Sequence, residues 1–231
     1  MGKASKKRPA AVVFELEYVG ASGRQVVFDT LHGVLGKKGI EMTLAQFVRL
    51  GGSDRHPGDY VALLSRSLGK ERLADEKTLA EVKEAVVAGF AGSSLKAAPG
   101  LKKLIAAAVE CGMAVGCVST LERDAMQALA VTLGLGESNV ALFSNAGGKL
   151  AVPGVDAWLK IARLTGAPAT RCLALTSSSV SCRSALRAHM HCVAVPDRFT
   201  ECSDYSGADF FVQTLEDLNP ADSFAILETG Q

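Results

Sequence analysis

Long apolar runs, a strong net charge and paired cysteine motifs are all missing from this sequence, and each absence closes off a class of protein. No uninterrupted apolar stretch comes near the ~20 residues that a membrane-spanning helix needs. The run that begins at Ala10 is broken by Glu15 and Glu17, so it does not read as a signal-peptide core either. Met1-Gly2 opens like a myristoylation signal, but Lys6 stands where Ser or Thr is required. A net charge of +1 leaves no basic field for nucleic acid. The cysteines are Cys111, Cys117, Cys172, Cys182, Cys192 and Cys202, with no CxxC pair among them. Cys117, Cys172 and Cys192 sit in apolar strand-like runs, which fits buried free thiols better than disulfides or zinc. His189, His191 and Cys192 are neighbours, yet no second ligand group stands at a fixed spacing from them. These absences lead us to expect a cytoplasmic protein with neither membrane nor nucleic acid as a partner.

What is present is an α/β pattern. Residues 1–9 carry Lys3, Lys6, Lys7 and Arg8 without an apolar face, and we expect a disordered basic tail there. Ala10 to Leu16 reads as a strand ending in an acidic tip. From Gln25 to about Phe90 the spacing is helical throughout, with Thr43 as an N-cap candidate and loops at Gly51-Gly52 and Pro57-Gly58. After Pro99-Gly100, helix and strand alternate: the strands are MAVGCVS, VALFS, CLALT, HCVAVP and ADFFV. Such alternation implies a parallel sheet covered on both faces. The expected organisation is therefore an α/β core from residues 10–24 and 94–231, with a helical insert over 25–93. In such sheets ligands bind outside the carboxyl ends of the strands. That directs attention to Glu15 to Glu17, Ser119-Thr120, Ser144-Asn145, Thr176 to Ser179 and Pro196-Asp197.

The order of these landmarks resembles the haloacid dehalogenase superfamily, in its β-phosphoglucomutase and phosphoglycolate-phosphatase-like branch. The resemblance rests on the acid-x-acid strand tip, the helical segment with LGGSDR, and PGLKKLIAAAVECGMAVGCVST. It continues through the lysine-bearing GKLAVPGVDAWLKIARLTG and CLALTSSSVSCRSALRAHMHCVAVP. It implies a Rossmann-like parallel sheet with a helical-bundle cap inserted after the first strand. It also implies a phosphoryl-transfer site: an aspartate nucleophile, a second aspartate as general acid and base, a Ser or Thr and a Lys on the phosphoryl group, and acids in a fourth motif that hold Mg²⁺.

Measured against that pattern, Glu15 and Glu17 stand at the nucleophile and acid-base positions, each a methylene too long, and Tyr18 replaces a glycine. Ser119 and Lys149 match the phosphate-binding positions. Arg55 matches a cap arginine that contacts a distal phosphate, although an exposed loop arginine reads equally well, and His56 reads as a surface histidine. Val27 stands where the mutases carry a cap histidine. The fourth motif reads Thr176-Ser177-Ser178 and has no carboxylate. Mg²⁺ prefers charged hard oxygen ligands, so the family's cofactor has lost most of its ligands here, and we expect none. With the metal ligands gone, Lys149 is expected to pair with Glu15, and Asp197 is a remote candidate for reaching in. The primary expectation is a catalytically impaired or inactive protein with a binding, regulatory or assembly role, whose partner is a phosphate-bearing small molecule or another protein. The alternative is an active phosphatase or phosphomutase-like hydrolase using Glu15 and Glu17. Metal-free dehalogenation ranks last, because it too needs the short aspartate.

Overall fold

The computed structural model describes residues 9–92, 95–136 and 139–229. The expected basic tail therefore lies outside the described residues, apart from Pro9. Six parallel strands form one sheet: β1 (Ala11–Glu15), β2 (Ala114–Ser119), β3 (Val140–Ser144), β4 (Cys172–Thr176), β5 (His191–Ala194) and β6 (Phe210–Phe211), in the order β3-β2-β1-β4-β5-β6. All six strands lie where the apolar runs place them. β1 is central and every residue in it is buried, as its continuous run AVVFE requires of a strand covered on both faces. Phe14 is in register with Cys117 of β2 and Leu175 of β4, so the tip of β1 emerges between the tips of its two neighbours.

Side-chain alternation divides the sheet into two faces. Val12, Phe14, Val115, Cys117, Leu173 and Leu175 point into a core shared with α5 (Leu101–Glu110), α6 (Arg123–Thr132) and α9 (Pro220–Thr229). Ala11, Val13, Ala174 and Cys192 face α7 (Val155–Thr165) and α8 (Ser179–Arg187) on the other side. α7 is strongly amphipathic and buries Trp158 and Ile161 there. Gly116 of β2 lets α7 come close, because a Cβ at that position would lie 2.8 Å from the Ile161 side chain. The helix α9 was not anticipated from the sequence. Its segment begins with Asn219-Pro220, and its Phe224 and Leu227 are buried in the core against β4 and α5.

Between β1 and α5 the chain is helical: α1 (Gly23–Gly36), α2 (Leu44–Arg49), α3 (Pro57–Ser67), a 3₁₀ turn at Glu71–Ala74 and α4 (Glu76–Ala91). Thr43 caps α2 as expected. Its hydroxyl accepts from the Gln46 amide at 3.2 Å, while the Gln46 carboxamide oxygen accepts from the Thr43 amide at 2.9 Å. Leu31, Leu35, Phe47, Tyr60, Leu64, Val82 and Phe90 are buried in the same apolar cluster as the α5 face of the sheet, so core and insert share one continuous hydrophobic interior. Among the described residues, no helix is long and apolar enough to cross a membrane.

Candidate functional site

The tip of β1 continues into a tight turn. The Glu15 carbonyl accepts from the amides of Val19 and Gly20 at 3.1 and 2.9 Å, and the Glu17 carbonyl accepts from the Gly23 amide at 2.9 Å. This turn drives both carboxylates inward, and each is only 1 % exposed. Glu15 has the parity of Ala11 and Val13 and points to the α8 side. There it meets the loop after β4: the Ser177 amide donates to its Oε1 at 3.1 Å and the Ser177 hydroxyl donates to its Oε2. Glu17 turns to the loop after β2. Its Oε1 accepts from Ser119 Oγ at 2.9 Å, the Thr120 amide at 2.6 Å, Thr120 Oγ1 at 3.0 Å and the Leu121 amide at 3.2 Å. Four donors on one oxygen form a cradle built for an anion.

Burial pushes the carboxyls of both glutamates above the ordinary value. For Glu15 the nearby Arg24 charge and the Ser177 hydrogen bonds oppose that rise. For Glu17 the Thr120 amide and Ser119 hydroxyl do so.

The hydroxyls of the fourth motif are all engaged. Thr176 Oγ1 lies 3.3 Å from the Cys192 sulfur and 3.4 Å from the Val193 carbonyl, which ties β4 to β5. Ser177 holds Glu15, and its own carbonyl accepts from Thr200 Oγ1 at 2.7 Å. Ser178 is the N-cap of α8 and accepts from the Ser181 amide at 3.3 Å. The run of serines thus builds a loop and starts a helix.

The expected pairing of Lys149 with Glu15 does not form. Lys149 is exposed and lines a separate cavity of about 400 Å³ with Asn145, Asp156, Lys160 and Ser184. Arg55 is exposed as well and donates to the Leu50 carbonyl at 3.2 Å. Among the described residues, neither bonds or pairs with Glu15 or Glu17. The structure therefore brings together Glu15, Glu17, Ser119 and Ser177, and leaves Lys149 and Arg55 apart from them. His56 is half-buried, and its Nε2 lies 2.8 Å from the Gly148 carbonyl.

The buried cation whose charge acts on Glu15 is Arg24, which the sequence left unassigned. It is 1 % exposed and sits in the first turn of α1. Its Nε donates to the Ser53 carbonyl at 2.8 Å and its Nη1 to Asp197 Oδ2 at 3.0 Å, while its Nη2 lies 3.8 Å from Asp54 Oδ1. The guanidinium stands 4.3 Å above the Tyr18 ring. Burial acts to lower the Arg24 pKa, but the carboxylates of Asp197, Glu15 and Asp54 outweigh it and hold the group protonated. Asp197 does not enter as a replacement for the fourth-motif acids; it faces Arg24. One signal was legible beforehand. A basic residue in the first turn opposes the helix dipole, so an arginine there implies partners elsewhere.

No protein-family model and no curated protein matches this sequence. Solved structures do match, over nearly the whole chain. CbbY from Rhodobacter sphaeroides, solved with phosphate, aligns with a TM-score of 0.72 at 19% identity, covering 91% of this chain and 96% of that one. A β-phosphoglucomutase from Clostridium difficile aligns at 0.75 and 17% identity, covering 95% and 97%. A family IA, variant 3 hydrolase from Entamoeba histolytica aligns at 0.77 and 17% identity, covering 95% and 100%. The fold is that of the haloacid-dehalogenase hydrolases. Within this haloacid-dehalogenase fold, the β1 tip and the loops after β2 and β4 stand where the sequence resemblance places the first, second and fourth motifs.

Proposed function

We propose that this chain is a non-catalytic or severely impaired protein on the haloacid-dehalogenase fold, acting by binding, regulation or assembly. The supporting observation is the occupancy of the Ser119 cradle. Ser119, which the resemblance assigns to a phosphoryl oxygen, is spent together with the Thr120 and Leu121 donors on the chain's own Glu17 carboxylate. A group bound by four donors is poorly placed to act as a general acid and base, and the anion it displaces is the substrate's. Glu15, the residue at the nucleophile position, is likewise held by Ser177 and is disfavoured as a carboxylate by burial. Phosphoryl transfer depends on in-line placement of a charged nucleophile.

The residues present do not suit Mg²⁺. The ion wants several charged oxygens in near-octahedral array. Here Ser177 engages both oxygens of Glu15 and four donors occupy Glu17 Oε1, the fourth motif offers hydroxyls already engaged in structure, and the buried Arg24 cation adds a competing positive charge. The added methylene of Glu15 and the small Ser177 are complementary in size: the longer acid reaches the place from which an acid has been lost.

The experiment is a phosphatase assay on p-nitrophenyl phosphate with Mg²⁺, run beside Glu15→Ala, together with titration of inorganic phosphate into wild type and Glu17→Ala. We expect no turnover above the Glu15→Ala background, and phosphate binding that is at least about tenfold stronger once Glu17 is removed from the cradle. Turnover that disappears with Glu15 would instead establish the active hydrolase.

A further inference from the structure

We propose that Arg24 is a latch that holds residues 51–56 of the helical insert against the strand tips, so that the insert does not swing free of the sheet in the native state. The inference deepens the reading of a closed site, but its test measures backbone opening and not turnover, so either can fail without the other.

Arg24 is a buried cation in the first turn of a helix, where the dipole disfavours it. It is tolerable only while its partners stay in place, and those partners come from two sides. Ser53 and Asp54 belong to the loop between α2 and α3 of the insert; Asp197 belongs to the loop after β5. Any motion that parts the insert from the sheet strips the guanidinium of one set and leaves a desolvated charge half-satisfied. The planar fork hydrogen-bonds the Ser53 carbonyl and the Asp197 carboxylate at once, while its remaining Nη2 faces Asp54 at 3.8 Å without a hydrogen bond.

The loop is shaped to deliver that carbonyl. Gly51 adopts φ +71°, and a Cβ at Gly52 would lie 2.5 Å from the Phe47 ring, so Gly51-Gly52 turn the chain tightly and present Ser53 to Arg24. Three further bonds cross the same seam. Ser53 Oγ donates to the Phe199 carbonyl at 3.1 Å, the Ala151 amide donates to the Asp54 carbonyl at 2.8 Å, and His56 Nε2 lies 2.8 Å from the Gly148 carbonyl. Beneath them the Phe199 ring of the core packs against both Phe28 and Phe47 of the insert, at 5.6 and 5.5 Å, and those two rings touch each other at 5.4 Å. Polar and aromatic contacts thus cross one seam, and Arg24 is the buried charge within it.

Native-state amide exchange on the full-length protein tests this. The Ala151 amide reports the seam, and the amides of β1 and β4 report global unfolding. In wild type the Ala151 amide should exchange within about tenfold of the sheet amides, because seam and sheet open together. In Arg24→Met the ratio should rise by more than about tenfold, since the seam then opens by itself. If Arg24→Met does not fold, Asp197→Asn should raise the ratio in the same direction by weakening one arm of the latch. Wild-type Ala151 exchanging well beyond tenfold faster than the sheet, or a ratio unmoved by the substitutions, would overturn the proposal.

Discussion

The charge state of Glu15 gives the most direct test of the site's physics. Its carboxyl is held above the ordinary value of 4.5, chiefly by burial. Below that value the group is protonated in both folded and unfolded chains, and its contribution to stability is fully present. As pH rises past it, the unfolded chain releases the proton while the folded chain retains it, so the unfolded state gains. Stability is then lost at up to about 1.4 kcal/mol per pH unit until the folded-state pKa is reached. Glu17 acts with the same sign. Glu15→Gln keeps an acceptor for the Ser177 amide and offers a donor to the Ser177 hydroxyl, but cannot ionise. Relative to wild type, the variant should therefore gain stability as pH rises from about 5 to about 8. Urea unfolding of both proteins across that range, at unchanged m-value, measures the difference. A wild-type stability that is flat or rising relative to Glu15→Gln over this range would mean that the buried carboxylate ionises without cost, which would refute burial as the cause of its raised pKa.

Two other outcomes follow from the same contacts. Ser177→Asp places a second carboxylate against Glu15. At roughly 4 Å and an effective dielectric of about 20, two ionised groups repel by about 4 kcal/mol, so this variant should be markedly destabilised at alkaline pH and recover on acidification. Equal destabilisation at both ends of the pH range would point to steric causes. Among the thiols, Cys111 and Cys202 are exposed while Cys117, Cys172, Cys182 and Cys192 are buried. Mass spectrometry after labelling of the native protein should find only the two exposed ones modified, and comparable labelling of the buried four would contradict the packing described.

Periodicity alone carried most of the fold. A continuous apolar run with helices on either side can only be a buried parallel strand, so all six strands and the helices α5 to α8 were legible, as was the Thr43 cap. The short α9 was not, because its apolar residues Phe224 to Leu227 run consecutively and mark no single helix face. At the site, the acids, Ser119 and Ser177 were found because they end strands, and strand ends are where such sheets gather chemistry. Their partners were not. The sequence offered Lys149 as the cation for Glu15, whereas the buried cation whose charge acts on Glu15 is Arg24, itself held by Ser53, Asp54 and Asp197. Local patterns are set by neighbours a few residues apart, and these the sequence contains. Which buried charge meets which depends on residues 29 to 173 positions distant in the chain converging at one seam, and only the packed structure decides that, because only there does the cost of desolvation select the partners.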